Sequence, residues 1–411
     1  MRYRKVREDK RGLRILLRSV RSGHATHRHV NGAAAAARVL FKTTLPAVCV
    51  VAVMSAVVFA VGPAQQQGAG PPLLTVDPFW PTLPETMLIG RVRGVAVDSH
   101  DHVWIVQDPT VLTPDMLGAA AQPPQAECCV GGPAIMEFDA SGHYVQGWDA
   151  PGGGYDGPRS IHGIFVDHRD HVWLASEQEG DHEVLKFDRT GKFLLQIGRR
   201  DAIVGSNDTR NVNRAAAMFV HPRTNELFVA DGYGNRRVVV FDADTGAYKR
   251  HWGAYGRRPD DTVPLTRGAQ GAGAQQFNLV HGVTISRDDL VYVSDRNNHR
   301  IQVFTLDGTF IKEGFVARES STTNGTVYGI AFSADPQQQF LYVADAANGR
   351  IRVLRRSTLE VVASFGRWGR QPGQFMVPHN LATDSHGNLY VGDIREGRLQ
   401  KFVVGATSSI P

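Results

Sequence analysis

Three histidines occupy matching places in a chain of 411 residues: "SIHGIFVD" carries His162, "LVHGVTI" carries His281 and "VPHNLATD" carries His379. Each stands where an apolar alternating run begins, at a position that a strand ordinarily fills with another hydrophobic residue. Three imidazoles brought to one point would hold a divalent metal and leave a fourth position for water or substrate, as catalytic zinc sites do and closed structural sites do not. Two more residues have suitable chemistry. "ADGYGNRR" places Tyr233, and "SDRNNHR" places Arg296, in loops that follow strands. A tyrosine can move a proton when a nearby cation or metal shifts its pKa, and an arginine can grip a carboxylate through two hydrogen bonds.

The elements that must position these residues repeat. From Arg93 onward the chain contains "RGVAVDSHDHVWIVQD", "HGIFVDHRDHVWLAS", "AMFVHPRTNELFVADGYGNRRVVVF", "HGVTISRDDLVYVSDRNNHRIQVF", "YGIAFSADPQQQFLYVADAANGRIRVL" and "HNLATDSHGNLYVGDIREGRLQKF". Stretches such as "LFVAD" and "LYVGD" alternate with a period of two, which indicates strands and not a repeated helix pair. Turn signals then lead into a fourth strand, as in "GKFLLQIG". Six four-stranded units of roughly 55 residues predict an all-β fold, a six-bladed β-propeller. The last unit runs out of chain after its third strand, so residues 73–89 are expected to supply the missing outer strand and close the ring.

In such a blade the first strand lines the central channel. Aligning the units on that strand puts Arg93, His162, Ala216, His281, Tyr328 and His379 at one level, with histidine on every second blade. Alternate blades lie a third of a turn apart, so the three imidazoles are expected to meet on the axis. The competing structural roles are a hydrogen-bonded packing residue for a single channel histidine, an aromatic under a turn for Tyr233, and a blade-to-blade salt bridge for Arg296.

Composition bounds the function. The chain carries 45 Lys/Arg and 40 Asp/Glu, but 12 of the basic and only two of the acidic residues precede Thr43, leaving 33 basic against 38 acidic residues. A basic nucleic-acid face on the main domain is therefore not expected. Residues 1–64 read as a basic leader whose apolar run, 45–61, is an export signal or a membrane anchor. Residues 65–72 form a linker, 73–405 the propeller and 406–411 a tail. The protein is expected to be exported, periplasmic or secreted, to touch a membrane only through the N-terminal segment, and to be a monomer. Of three cysteines, the adjacent Cys128 and Cys129 form either a vicinal disulfide or two free thiols. Residues 109–133 are long for a strand connection and would serve as a lid over the channel mouth or as a surface excursion.

The repeat resembles the NHL repeat, most closely in "YVADAANGRIRVL" and "YVSDRNNHRIQVF". Over 73–402 the chain is similar to peptidyl-α-hydroxyglycine α-amidating lyase, the propeller that performs the second step of peptide amidation. That resemblance implies His162, His281 and His379 as zinc ligands, Tyr233 as the catalytic tyrosine and Arg296 as an active-site cation. It also implies a small-molecule or peptide substrate with a C-terminal carboxylate. Two positions depart from it. Asp108 stands where the family has a substrate-binding arginine, for which Arg93 on the channel ring would have to compensate. Asn380 stands where the family has an aspartate that holds a structural calcium with backbone oxygens, here those of Val95 and Ile164; an amide oxygen still ligates calcium, more weakly than a carboxylate. The alternatives are a non-catalytic NHL propeller that binds a protein or glycan at the channel mouth, and a hydrolase using channel calcium, which would call for oxygen ligands where histidines stand.

Overall fold

The computed structural model describes residues 70–202, 205–265, 274–320, 325–395 and 397–405; the leader with its 45–61 apolar run, most of the linker and the tail lie outside them. No helix among the described residues is long and apolar enough to cross a membrane. The described residues are all-β apart from short 3-10 turns, and form six four-stranded antiparallel sheets. The first strands are Arg91–Val97, Ile161–Val166, Ala217–His221, Val280–Ile285, Ile330–Phe332 and Pro378–Thr383. They belong to blades one to six in chain order.

The sixth blade takes its outer strand from the other end of the propeller. Leu74–Asp77 pairs with Arg398–Val404, from Leu74 opposite Val404 to Asp77 opposite Lys401. Trp80, just beyond, is buried between the sixth and first blades, with its ring centroid 4.8 Å from that of Tyr390. The ring is thereby closed by hydrogen bonds and by buried apolar surface together.

Alternation along the strands sends apolar side chains out of both faces of every sheet, so the core is six separate layers between adjacent blades. The layer between the second and third blades, for example, packs Trp173, Val184 and Ile197 against Met218, Leu227 and Phe241. At the channel the blades come closer still. A Cβ on Gly163 would lie 2.6 Å from the carbonyl oxygen of Ala216 on the next blade, and one on Gly329 would lie 3.1 Å from the carbonyl oxygen of His379. "HG" and "YG" in the sequence therefore mark places where neighbouring backbones leave no room for a side chain.

In the third to sixth blades the second strand ends on a buried acid, which in the third and fourth latches the loop. Asp231 accepts from Asn213 N at 2.8 Å, Asn235 Nδ2 at 2.8 Å and Arg237 Nε at 2.8 Å. Asp295 repeats the pattern with Asn278 N, Asn298 Nδ2 and Arg300 Nε, each at 2.7 Å. These pairs explain the recurrent Asp, Asn and Arg of the repeat: a buried carboxylate persists only where donors and a cation answer it.

The long 109–133 segment makes three 3-10 turns and a short strand, Val130–Gly131, parallel to Met87–Leu88. None of its residues lines either channel cavity, which agrees with a surface excursion, the second of the two expected roles, and not with a lid. Cys128 and Cys129 are joined to each other as a disulfide.

Two outcomes test these packing arguments. Gly163→Ala is expected to lower unfolding stability by about 1–3 kcal/mol through the clash with Ala216, whereas Gly70→Ala, which meets nothing within 4 Å, leaves it unchanged; equal denaturation midpoints would refute the tight inter-blade contact. Arg300→Met strands the Asp295 carboxylate and is expected to cost about 3–5 kcal/mol by urea denaturation, with part of the loss recovered in the Asp295→Asn double variant.

Candidate metal site and channel mouth

The first strands deliver the channel residues through a shared irregularity. The pairing of first and second strands slips by one residue at Arg93, His162, His281 and His379. A bulge of this kind leaves one residue out of the ladder and re-aims its side chain. At all four positions that residue is the one on the channel ring.

His162, His281 and His379 are all buried, and their ligand nitrogens lie within 4.8 Å of one another. Each ring is oriented by the next blade. His162 Nδ1 is 2.8 Å from the carbonyl oxygen of Ala216, and His379 Nδ1 is 2.6 Å from that of Arg93. His281 Nδ1 feels the backbone of Tyr328 in the same way, although short of hydrogen-bond geometry. Carbonyl oxygens only accept, so the Nδ1 atoms of His162 and His379 carry the protons and their Nε2 atoms are bare lone pairs.

Those two Nε2 atoms are 3.2 Å apart. Two lone pairs at that distance repel unless a cation lies between them. A proton on either ring is disfavoured, because burial holds all three histidines below the usual imidazole range, His281 and His379 well below it. A metal ion satisfies the arrangement: nitrogens about 2.0–2.1 Å from a tetrahedral zinc lie roughly 3.3 Å apart. The residues present therefore fit such an ion.

Tyr233 stands over this cluster. Its hydroxyl is 3.0 Å from His162 Nε2 and 3.3 Å from His281 Nε2, and Arg296 donates to it at 3.3 Å. Gly232 allows the approach, since a Cβ there would collide with the Val280 backbone. Burial pushes the Tyr233 phenol above its ordinary range, opposed by the Arg296 guanidinium. Arg296 also stacks over the Tyr328 ring at 3.9 Å. His162, His379, Tyr233, Arg296 and Tyr328 line a cavity of about 560 Å³ at the channel mouth, together with Arg91, Arg93, Arg395, Glu177 and Trp368.

The structure brings Arg93 to the site but already engaged. It donates to Ser160 Oγ at 2.7 Å, to Asp108 Oδ2 at 2.9 Å and to Glu177. Glu177 is the residue that sequence reasoning missed: besides Arg93 it faces His162, its Oε2 3.9 Å from Nε2. The strand registers make Glu177, Asp108 and Arg296 equivalents, each one residue beyond the second-strand position that pairs just before the channel ring.

The expected calcium residues lie on the other side of the histidines. Val95, Ile164 and Asn380 share a second channel cavity of about 420 Å³ with mostly apolar walls. The amide oxygen of Asn380 accepts from Leu381 N at 2.7 Å, so it is partly engaged within its own strand.

Comparison with known proteins agrees with this architecture. A family model for the NHL repeat matches residues 277–304. NHL repeat-containing protein 3 of Mus musculus is 26% identical over 347 residues, covering 81% of this chain and 84% of its own length. Peptidyl-glycine alpha-amidating monooxygenase A of Xenopus laevis is 26% identical over 59% of this chain, which spans 24% of that protein. Peptidyl-alpha-hydroxyglycine alpha-amidating lyase 1 of Drosophila melanogaster is 26% identical over 59% of this chain and 44% of its own length. The chain is thus a six-bladed propeller with an NHL repeat, homologous to NHL repeat proteins and to peptidyl-hydroxyglycine amidating lyases.

Proposed function

We propose that this protein is an exported zinc lyase that cleaves the C–N bond of a carbinolamide, giving an amide and a glyoxylate-like aldehyde acid. The observation that carries the reading is the pair of bare Nε2 lone pairs 3.2 Å apart, with the Tyr233 hydroxyl 3.0 Å from one of them. His162, His281 and His379 would hold the ion. When bound it would supply Lewis acidity, lowering the pKa of a hydroxyl or water at the open position.

The chain's own residues handle the proton and the charge. With its pKa raised by burial, Tyr233 rests as a phenol and is suited to donate first. It gives its proton to the departing amide nitrogen as the C–N bond breaks, and regains one from the substrate hydroxyl as the C=O bond forms. No oxidant or net proton is consumed. Arg296 steadies the substrate carboxylate beside Tyr233. Four arginines and one glutamate line the mouth cavity, so Asp108 and Glu177, both paired to Arg93, do not make it anionic. On this reading the partner is a small molecule or peptide ending in a carboxylate, with no nucleic acid involved and the protein acting as a monomer.

A second reading, a non-catalytic propeller binding a protein or glycan at the mouth, is favoured by one observation: the residue that should replace the family's substrate arginine, Arg93, is already paired with two carboxylates and a hydroxyl. Metal content and turnover separate the two.

Wild-type protein is expected to retain about one zinc per chain after dialysis, and His281→Ala to retain less than about a tenth of that, by elemental analysis; undiminished zinc in the variant would move the metal elsewhere. Tyr233→Phe is expected to keep its zinc while releasing glyoxylate from an N-acyl-α-hydroxyglycine about 10²–10⁴-fold more slowly. No glyoxylate from the zinc-loaded wild type would end the lyase reading and leave the scaffold.

A further inference from the structure

The second blade breaks the latch that holds the third and fourth. In those blades the last residue of the second strand is the acid, and the facing first residue of the third strand is the arginine: Asp231 opposite Arg237, Asp295 opposite Arg300. In the second blade the second strand ends on Ser176, and the third begins at Glu183. The carboxylate is supplied instead by Asp181 of the loop. It accepts from Arg159 N at 2.9 Å and from the Ser176 hydroxyl, just as Asp231 and Asp295 accept from Asn213 N and Asn278 N. The acid's place is filled. The guanidinium's place holds a second acid.

Both carboxylates are buried, Asp181 at 0% and Glu183 at 2% exposure. All hydrogen bonds to the Asp181 carboxylate fall on Oδ2, and Glu183 Oε2 accepts from His182 N at 2.8 Å. Asp181 Oδ1 and Glu183 Oε1 have no partner, and neither has His182 Nδ1 between them in the chain. Burial first, and Asp181 next, push the Glu183 carboxyl up to about 7, while Arg200 pulls it down and Asp156 adds to the rise. Arg200 does not replace the absent arginine, because its guanidinium makes no hydrogen bond to Glu183 and its own Nε is unpartnered.

We infer that Asp181 and Glu183 bind a divalent cation, calcium by the hardness of their oxygens, in the place that Arg237 and Arg300 fill in the neighbouring blades. Two buried bare carboxylate oxygens with a neighbouring acid are unstable without a cation, and carboxylate and carbonyl oxygens are what calcium takes. Arg237 shows what that place offers: its guanidinium also meets the carbonyl oxygens of Ser206 and Asn211, in the segment entering its blade. The site is distinct from the three histidines and from Asn380, and it does not depend on the lyase reading.

The test uses full-length, zinc-loaded protein stripped of other metals and titrated with calcium chloride, read by calorimetry and thermal unfolding. Wild type is expected to bind calcium and to unfold at a temperature that rises with its concentration. Glu183→Arg and Glu183→Gln are expected to bind one calcium fewer per chain. Without calcium, Glu183→Arg should unfold no lower than wild type, since it restores the partner used by the next two blades. Asn380→Ala should lose nothing at this site. The inference is overturned if Glu183→Gln and Glu183→Arg bind as much calcium as wild type. It is equally overturned if wild type unfolds at one temperature in calcium, magnesium or chelator, which would mean that the acids share a proton instead.

Discussion

The contact on which the site depends is an imidazole N–H meeting a main-chain carbonyl of the next blade. His162 reaches Ala216 and His379 reaches Arg93. Six first strands converge on one axis, so their backbones crowd, and the carbonyl oxygens at the ring level point sideways into their neighbours. Each such oxygen fixes a tautomer. Once Nδ1 carries the proton, Nε2 has only a lone pair to present to the channel. The fitness of the cluster for a metal ion thus follows from how closely the blades approach, and not from the histidines alone.

Alternation then becomes necessary. A ring of six histidines would crowd the axis, whereas histidines on alternate blades each face the main chain of the blade between them. Here the second, fourth and sixth blades give side chains, while the third, fifth and first give carbonyls from Ala216, Tyr328 and Arg93. The glycine after the ring residue serves the same geometry, since it lets one backbone lie against the next blade's carbonyl. Bulge, glycine and tautomer are three consequences of one close approach.

Most of this could be read from the chain because the repeat converts sequence position into angle about the axis. Counting units placed His162, His281 and His379 a third of a turn apart, and the closing strand near Leu74 followed from the last unit running short. Tyr233 and Arg296 fell where their loops predicted. What escaped were features set by pairs of strands. Glu177 became visible only once the second-strand register was known, and the engagement of Arg93 by Asp108, Ser160 and Glu177 joins residues of two blades. The 109–133 segment could not be placed from composition, because its docking rests on a two-residue parallel pairing with Met87–Leu88.

The latch and the mouth are one piece of chain, which limits how such a protein can vary. The residue after the latch acid lines the mouth cavity: Arg296 follows Asp295, and Ala346 follows the equally buried Asp345. Changing the latter residue alters the pocket without touching the fold, as the contrast between Arg296 and Ala346 illustrates. Changing the acid itself removes a buried charge whose partners are already committed, so it must be compensated within the same loop. In the second blade Ser176 has replaced that acid, and Asp181 has moved in from five residues away to receive the same backbone N–H. The longer loop this requires also carries Glu177 against Arg93 and His162. The departure that disturbs the latch and the one that adds an acid to the mouth are therefore adjacent in the chain, and a single loop accounts for both.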